Sequence, residues 1–429
     1  MKYKFLLLQI FLVVLVVDVH SQVLNGSCGD NLTWEINPQT KVLKISGSGD
    51  MFSYKLGETP WYNYRTTIKA IEFPRGLKSI GTYAFYECSS LQSIVFPDSL
   101  ISIRDYAFCF CSSIKTITMS DSLSSIGKEA FYSCDSLELL VLNEGLLSIG
   151  ESCFQNCSNL RSVTIPESLS SLGRGAFWGV SSIEIVYWNA IDCYYSDKSS
   201  DYNSRGAFSN SRNDLNTHGK LIFGDNVITI PKDICKGINP DTVIIPNSVK
   251  YIGDGAFGRE TNYIIMGNSV ITIGEYAFEN IQNTEIKIPN TTISIGNGAF
   301  AHTKLRVIDI GHSLMTLGNF VFTDYGYGDN QIERVICRAY TPPVIGTDCF
   351  KDIDKTITVY VPKESIELYQ LYAGWSEFQY ILPIEDLPSN SSNQQVDFNN
   401  EATQKYFERG GLSIKQGKNL FDISGRKIK

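Results

Sequence analysis

Histidine and cysteine are the residue types with which this chain could bind a metal ion or act as a nucleophile. The sequence contains 4 His and 11 Cys. His20 falls in an apolar leader, and neither Cys nor an acidic residue has ligand spacing to His218, His302 or His312. The chain also lacks the Gly-x-Ser-x-Gly, His-Glu-x-x-His and phosphate-loop motifs. We therefore predict no catalytic residue, no metal site and no cofactor.

Aspartate occurs in two settings that could suggest catalysis. Asp98-Ser99 and Asp121-Ser122 recur at a fixed interval, which indicates the corners of a repeated fold and not catalytic pairs. Asp192, Asp197 and Asp201 lie in an irregular stretch, where an enzyme would need its site, but no partner base accompanies them. The formal net charge of −8 disfavours nucleic acid and anionic membranes as partners, because both require clustered Lys and Arg.

The elements that position these residues form an internal repeat. Its clearest marks are five phenylalanines spaced 23 residues apart: Phe85, Phe108, Phe131, Phe154 and Phe177. A second series has spacings of 21, 22 and 22: Phe257, Phe278, Phe300 and Phe322. With Phe208, Phe350 and the pair Ile234-Cys235 in the same slot, the chain predicts about twelve turns of a solenoid.

Each repeat begins with a short segment of alternating polarity, which predicts a β-strand. In one unit Leu91, Ile94 and Phe96 point inward, and the apolar pair Leu100 and Ile103 follows. One unit cannot bury this face alone, so we expect neighbouring units to stack and extend a parallel strand ladder. The predicted fold class is a right-handed repeat coil with short parallel strands, mostly β and irregular.

The cysteines follow the same interval. Cys88, Cys111, Cys134 and Cys157 are 23 residues apart and should form one column. We interpret them as small buried apolar residues, and disulfides between stacked neighbours are the alternative. Cys28, Cys193 and Cys337 lie outside the column, and the sequence leaves their state open.

The two ends of the chain predict the domain organisation. Residues 1–21 have the basic start and apolar run of a signal peptide, with a retained membrane anchor as the alternative. Residues 22–66 should form an N-terminal β cap that includes a hairpin around Asn37-Pro38. The solenoid should cover 67–339, with an insertion at about 187–220 that is either functional or merely tolerated. Residues 340–386 should form the terminal repeat and C-terminal cap, and 387–429 a flexible linker and tail.

The candidate ligand-binding face is the outward row of the predicted strand ladder. By alternation this row contains Ser93, Val95, Thr116, Thr118, Leu139, Val141, Ser162 and Thr164. Glu285, Lys287, Val307 and Asp309 continue it in later turns. The row is rich in Ser, Thr and Val and weakly charged, which suits a broad contact with a protein or glycan. A solvated sheet face with good β-propensity is the alternative.

The repeat resembles the BspA-like class of leucine-rich repeats. The resemblance rests on the motif A-F-x-x-C-x-x-L-x-x-I-x-I-P-x-S-L-x-x-I-G, seen in residues 84–106, and extends over residues 67–386. The end of the chain, Phe421 to Lys427, is similar to a type IX sorting signal but lacks the strand that normally follows. The resemblance implies a secreted or surface-exposed protein that binds extracellular matrix, host cells or other microbes.

Three functional classes follow from these observations. The first is an extracellular or surface-exposed protein that binds an extracellular protein or glycan, with no transmembrane segment after removal of the signal peptide. The second is a structural or immune-modulating surface component without a defined ligand site. The third, an enzyme, has the least support in the sequence.

Overall fold

The computed structural model describes residues 24–195, 206–208, 219–258, 261–324 and 331–388, and the backbone alone of 405–408, 411–416 and 419–422. The predicted signal peptide, most of the predicted insertion and most of the predicted linker lie outside these residues. The chain separates into two compact units, Met1–Ile384 and Glu385–Lys429. None of the helices in the described residues has the length and hydropathy to cross a membrane.

The first unit is a β-solenoid of about twelve turns, which confirms the predicted repeat fold. Most turns contribute two strands, and corresponding strands of successive turns pair in parallel. We call the first strand of a turn its face strand and the second its back strand. Apolar side chains from both strands point into the coil, where stacked neighbours exclude water from them.

The face strands form four parallel sheets along the coil. They are Ser93–Val95, Thr116–Thr118 and Leu139–Val141; Ser162–Ile165, Ile185–Trp188 and Lys220–Phe223; Thr242–Ile244 and Tyr263–Ile265; and Glu285–Ile288, Val307–Ile310, Arg334–Cys337, Thr358–Val361 and Tyr380–Pro383.

The back strands are mostly two residues long and belong to two sheets. The first sheet contains Gly76–Ile80, Ser102–Ile103, Ser125–Ile126, Ser148–Ile149, Ser171–Leu172 and Tyr194–Tyr195. The second contains Thr229–Ile230, Tyr251–Ile252, Thr272–Ile273, Ser294–Ile295, Thr316–Leu317 and Val344–Ile345.

An antiparallel hairpin covers the first turn, as the alternation around Asn37 and Pro38 predicts. Leu24–Gly29 pairs with Leu32–Asn37, which pairs with Val42–Asp50. The last of these strands pairs with Ala70–Glu72 through its first half and with Gly76–Ile80 through its second half. One strand therefore occupies the edges of both parallel ladders, which would otherwise expose unpaired backbone groups.

The repeated phenylalanines form a column of stacked rings inside the coil. Centroid distances of 5.1, 5.2, 5.3 and 5.2 Å separate successive rings from Phe85 to Phe177, and Phe208 continues the stack. A second stack runs from Phe257 to Phe350. Cys235 occupies the core phenylalanine position between the two stacks. Its backbone N–H donates to the carbonyl of Ala256, just as the N–H of Phe257 donates to the carbonyl of Ala277 in the next turn.

Tryptophan closes both ends of this column. The Trp61 ring stacks on Phe85 at 5.6 Å and 15°, and its Nε1–H donates to the carbonyl of Ala84 at 2.7 Å. At the other end the Trp375 ring meets Phe350 edge-on at 5.1 Å, and its Nε1–H donates to Pro343 at 2.9 Å. Each indole therefore covers the last ring of the column and satisfies its own polar atom.

The corner around each core phenylalanine uses left-handed backbone at residues other than glycine. Tyr83, Tyr106 and Glu129 have φ values of 56°, 58° and 51°. These conformations direct N–H groups toward the next turn, and the N–H of Tyr106 donates to Lys128 at 2.9 Å. Such bonds between turns offset a conformational cost of roughly 1–2 kcal/mol at each position.

The C-terminal part of the first unit contains the main helical segments of the described chain. The 3-10 helix Lys363–Ser365 leads into the α-helix Ile366–Leu371. Short 3-10 helices also occur at Tyr62–Thr67 and Ile384–Asp386. The hydroxyl of the buried Tyr369 donates to the carbonyl of Ala339 at 2.8 Å, which ties the helix to the last turns.

The second unit contains three strands that the sequence did not predict. Lys405–Glu408, Gly411–Gln416 and Asn419–Asp422 form an antiparallel three-stranded sheet. The third strand overlaps the segment that resembles a sorting signal.

All eleven cysteines are buried and free, as predicted for the column. The thiols of Cys111, Cys134 and Cys157 lie 3.2, 3.5 and 3.4 Å from backbone carbonyl oxygens of the preceding turn, those of Phe85, Phe108 and Phe131. Burial raises the pKa of Cys109 to about 12 and raises that of Cys134 well above its usual value.

We therefore expect the native protein to react slowly with iodoacetamide at mildly alkaline pH, because the thiolate is the reactive form. After denaturation with urea, all the cysteines should be alkylated rapidly. Mass spectrometry of intact protein, without reductant, measures both states. A mass lower by two hydrogens per cysteine pair would reveal disulfides and contradict the assignment of free thiols.

Candidate functional site

The predicted binding residues lie on the outward side of the face strands. Each of the first three strands has an exposed, buried, exposed pattern. Six predicted residues form two rows in register on this sheet: Ser93, Thr116 and Leu139, and Val95, Thr118 and Val141. We call this surface the strand face. The structure brings these six side chains together on one surface open to solvent.

Three apolar side chains on the strand face are exposed to solvent, one of them almost fully and two by nearly half. Val95 is 80% exposed, Leu139 48% and Val141 43%. An uncovered apolar surface of this kind is typical of a contact site, whereas scattered exposed residues are common on any protein. The residues beside them in register, Thr116 and Thr118, are polar and exposed.

The two remaining predicted residues lie on the next sheet along the coil. Thr164 is exposed and Ser162 is partly buried. Their partners in register are Ile185 and Tyr187. The predicted row therefore continues across a break between sheets, and its next members are bulkier than Ser and Thr.

One residue that the alternation placed on the outward row is buried. Val307 is only 8% exposed. Its partners in register are Glu285 and Arg334, whose long side chains flank it on the sheet surface. Asp309 is partly buried, and its two carboxylate oxygens accept hydrogen bonds from the Arg338 guanidinium at 2.8 and 2.9 Å. The prediction for Val307 was wrong because alternation does not account for long neighbouring side chains.

A line of carboxylates follows the edge of the strand face beyond the ends of its strands. It consists of Asp98, Asp121, Glu144 and Glu167, one from each of four successive turns, and all four are exposed. We call this line the acidic margin. Within the described chain, none of these carboxylates forms an ion pair with Lys or Arg. Glu144 accepts a bond from the backbone N–H of Glu167 at 3.2 Å, and Glu167 accepts one from the Asn226 amide at 3.0 Å.

The opposite edge of the strand face carries charges of both signs. Its members in successive turns are Lys69, Gln92, Lys115, Glu138, Arg161 and Glu184. Arg161 and Glu184 form an ion pair with each other. We call this line the mixed margin. The two edges of the strand face therefore differ in charge: one is acidic, and the other carries both signs.

A cleft of about 670 Å³ opens where the strand face meets the acidic margin. Its lining includes Phe73, Arg75, Val95 and Asp98. Phe73 and Phe96 stack at 6.2 Å and form its aromatic floor. Because Arg75, Val95 and Asp98 line the same cleft, basic, apolar and acidic groups meet the same volume of solvent.

Comparison with known proteins agrees with this architecture. The sequence profile of the BspA type leucine rich repeat region matches residues 56–184, 204–282 and 260–373, in six copies. The chain belongs to the BspA-type leucine-rich-repeat family. A comparison with curated proteins finds no significant match to the sequence.

Several solved bacterial structures resemble this BspA-type protein at low identity. A leucine-rich repeat protein from Bacteroides ovatus is 19% identical to this chain, with a TM-score of 0.39. The aligned region covers 83% of this chain and 76% of the Bacteroides protein. The pneumococcal vaccine antigen PcpA is 17% identical, with 84% and 98% covered and a TM-score of 0.38. A leucine rich cell surface protein from Faecalibacterium prausnitzii is 17% identical, with 84% and 95% covered and a TM-score of 0.33.

One histidine of the BspA-type protein has an acidic neighbour that sequence spacing did not reveal. Nδ1 of His302 lies 3.5 Å from the buried carboxylate of Asp324. Ligand spacing along the chain gives no sign of this contact, because adjacent turns bring together residues 22 positions apart. Among the residues that the structure describes, no group of three or more His, Cys, Asp or Glu is arranged to hold a metal ion.

The irregular stretch offers little further chemistry in its described part. Asp192 accepts a hydrogen bond from the hydroxyl of Thr229 at 2.7 Å, which fits a structural role between turns. Asp197, Asp201 and His218 lie outside the described residues.

Proposed function

We propose that this BspA-type protein is secreted or surface-exposed and binds extracellular protein or glycan ligands through the strand face. Such ligands include host matrix, host cells and other microbes. The observation that carries the proposal is the uncovered apolar surface at Val95, Leu139 and Val141, held on a rigid ladder. The basic start and apolar run of residues 1–21 support export.

The ladder suits binding because its geometry exists before the ligand arrives. Backbone bonds between Thr116–Thr118 and the strands on either side hold the outward side chains in place. Little conformational entropy is therefore lost when a ligand contacts them, in contrast to a flexible loop. Repeat arrays commonly use such extended surfaces for modest but broad contacts.

A binding screen tests the proposal. The purified chain is applied to an array of matrix proteins and glycans, beside the double variant Leu139→Ser and Val141→Ser. We expect at least one ligand to bind the native protein and to lose about tenfold or more in affinity with the variant, since two apolar contacts are removed.

The matched control is the double variant Ile101→Ser and Leu147→Ser. These residues are 46% and 50% exposed, close to the values for Leu139 and Val141, but they adjoin the back strands. The control should bind as the native protein does. Equal loss in both variants, or no ligand at all, would reject the strand face as the binding site and favour a structural surface component.

A further inference from the structure

The strand face and the acidic margin lie side by side over the same turns of the coil. Val95 precedes Asp98, and Val141 precedes Glu144, by three residues each. The cleft shows that this proximity is spatial, because Val95 and Asp98 line it together. A ligand lying on the strand face therefore also meets the carboxylates at its edge.

The acidic margin places four like charges in successive turns, and Arg75 holds the same position in the turn before Asp98. The ring spacings of 5.1 to 5.3 Å in the phenylalanine column measure the distance between turns. Carboxylates repeated at this step repel one another, and a charged partner removes that repulsion. By contrast, the mixed margin supplies its own counter-charges, for example between Arg161 and Glu184.

We infer that the ligand of the strand face is a basic, extended protein segment in which Lys or Arg alternates with apolar residues. Its apolar side chains would contact Val95, Leu139 and Val141, and its cationic side chains would pair with the acidic margin. This inference rests on the proposed function and specifies the partner of the same site.

Charge and dimensions both fit such a segment. Four carboxylates in successive turns extend over about 15 Å, which an extended segment of about five residues covers. In an extended segment, alternate side chains point to opposite sides. Its cationic side chains would therefore lie on the side of the acidic margin, and its apolar side chains on the side of the strand face. An acidic polymer or an anionic glycan would instead meet like charge along this margin.

The test measures binding of a synthetic peptide of alternating Lys and Val, about nine residues long, to the full chain. A peptide with Glu in place of Lys is the charge control. We expect the Lys peptide alone to bind, and its affinity to fall as salt rises, because surface charges are screened. The variant Asp98→Asn, Asp121→Asn, Glu144→Gln and Glu167→Gln should bind about tenfold more weakly and depend less on salt.

A second variant separates the effect of the acidic margin on peptide binding from the effect of the protein's net charge. Asp30→Asn, Glu58→Gln, Glu364→Gln and Glu367→Gln neutralises four exposed carboxylates elsewhere on the surface. It carries the same net charge as the margin variant and should bind the Lys peptide as the native chain does. Equal weakening in both variants, or no effect of the margin variant, would overturn the inference.

The screen with matrix proteins and glycans distinguishes this inference from the proposed function. A ligand that is lost with Leu139→Ser and Val141→Ser, but retained by the margin variant, would uphold binding at the strand face and reject the basic segment. A neutral glycan would behave in this way.

Discussion

Replacing Phe131 with alanine should lower the free energy of unfolding by about 3–5 kcal/mol. The ring is fully buried and stacks on Phe108 at 5.2 Å and on Phe154 at 5.3 Å. Its removal leaves a cavity in the middle of the column, and the rigid ladders on both sides limit how far the turns can collapse into it. Equilibrium unfolding in urea, followed by circular dichroism, measures the loss.

Phe110→Ala is the matched control for this substitution. Phe110 is 39% exposed and contacts Tyr86 and Tyr132 at the outer corner, away from the column. The same atoms are removed, but the cost should stay near 1 kcal/mol, because the site opens to solvent. Similar losses for both variants would show that the column is not the main packing element.

The second large effect is expected at the N-terminal cap. Trp61→Ala should cost about 3–5 kcal/mol, because it removes a buried indole that covers the exposed end of the ring column. The substitution also leaves the carbonyl of Ala84 without its donor. The measurement is again equilibrium unfolding, with limited proteolysis to locate the opened region near the first turns.

Trp61→Phe separates the two contributions of the indole. A phenyl ring can still stack on Phe85, but it cannot donate to Ala84. We expect a smaller loss, about 1–3 kcal/mol, from the unsatisfied carbonyl and the reduced ring area. If Trp61→Phe were as damaging as Trp61→Ala, stacking would contribute little to the cap.

The turn-to-turn architecture could be predicted because each unit repeats one simple pattern. The interval between Phe85 and Phe108 recurs, so the column follows directly from the sequence. Alternation around Ile94 placed Ser93 and Val95 on the outside, as the structure finds. These inferences succeed since burial of apolar residues decides both features.

Other features depend on contacts that a single unit does not encode. The back strands, such as Ser102–Ile103, are too short to show a period. The left-handed conformation of Tyr106 contradicts its intrinsic preference and exists because bonds between turns favour it. The acidic margin was visible only as isolated Asp-Ser pairs, because Glu144 and Glu167 continue it with a different residue type.

The interruption of the ring column at Cys235 limits how strongly the stability of one turn depends on that of distant turns. Near this turn the back strands also change sheet, between Tyr194–Tyr195 and Thr229–Ile230, and the face strands change sheet after Lys220–Phe223. In a linear array each unit is coupled only to its neighbours, so cooperativity extends no further than the weakest coupling.

We therefore expect these three interruptions at one place to divide the coil into two cooperative blocks. Damage at Phe131 would pass through the stack that ends at Phe208, while the stack that begins at Phe257 could remain folded. The strand face and its acidic margin lie wholly in the first block. The proposed binding surface would thus share its stability with the N-terminal cap, and the second half of the coil would be able to vary in sequence or open without dismantling it.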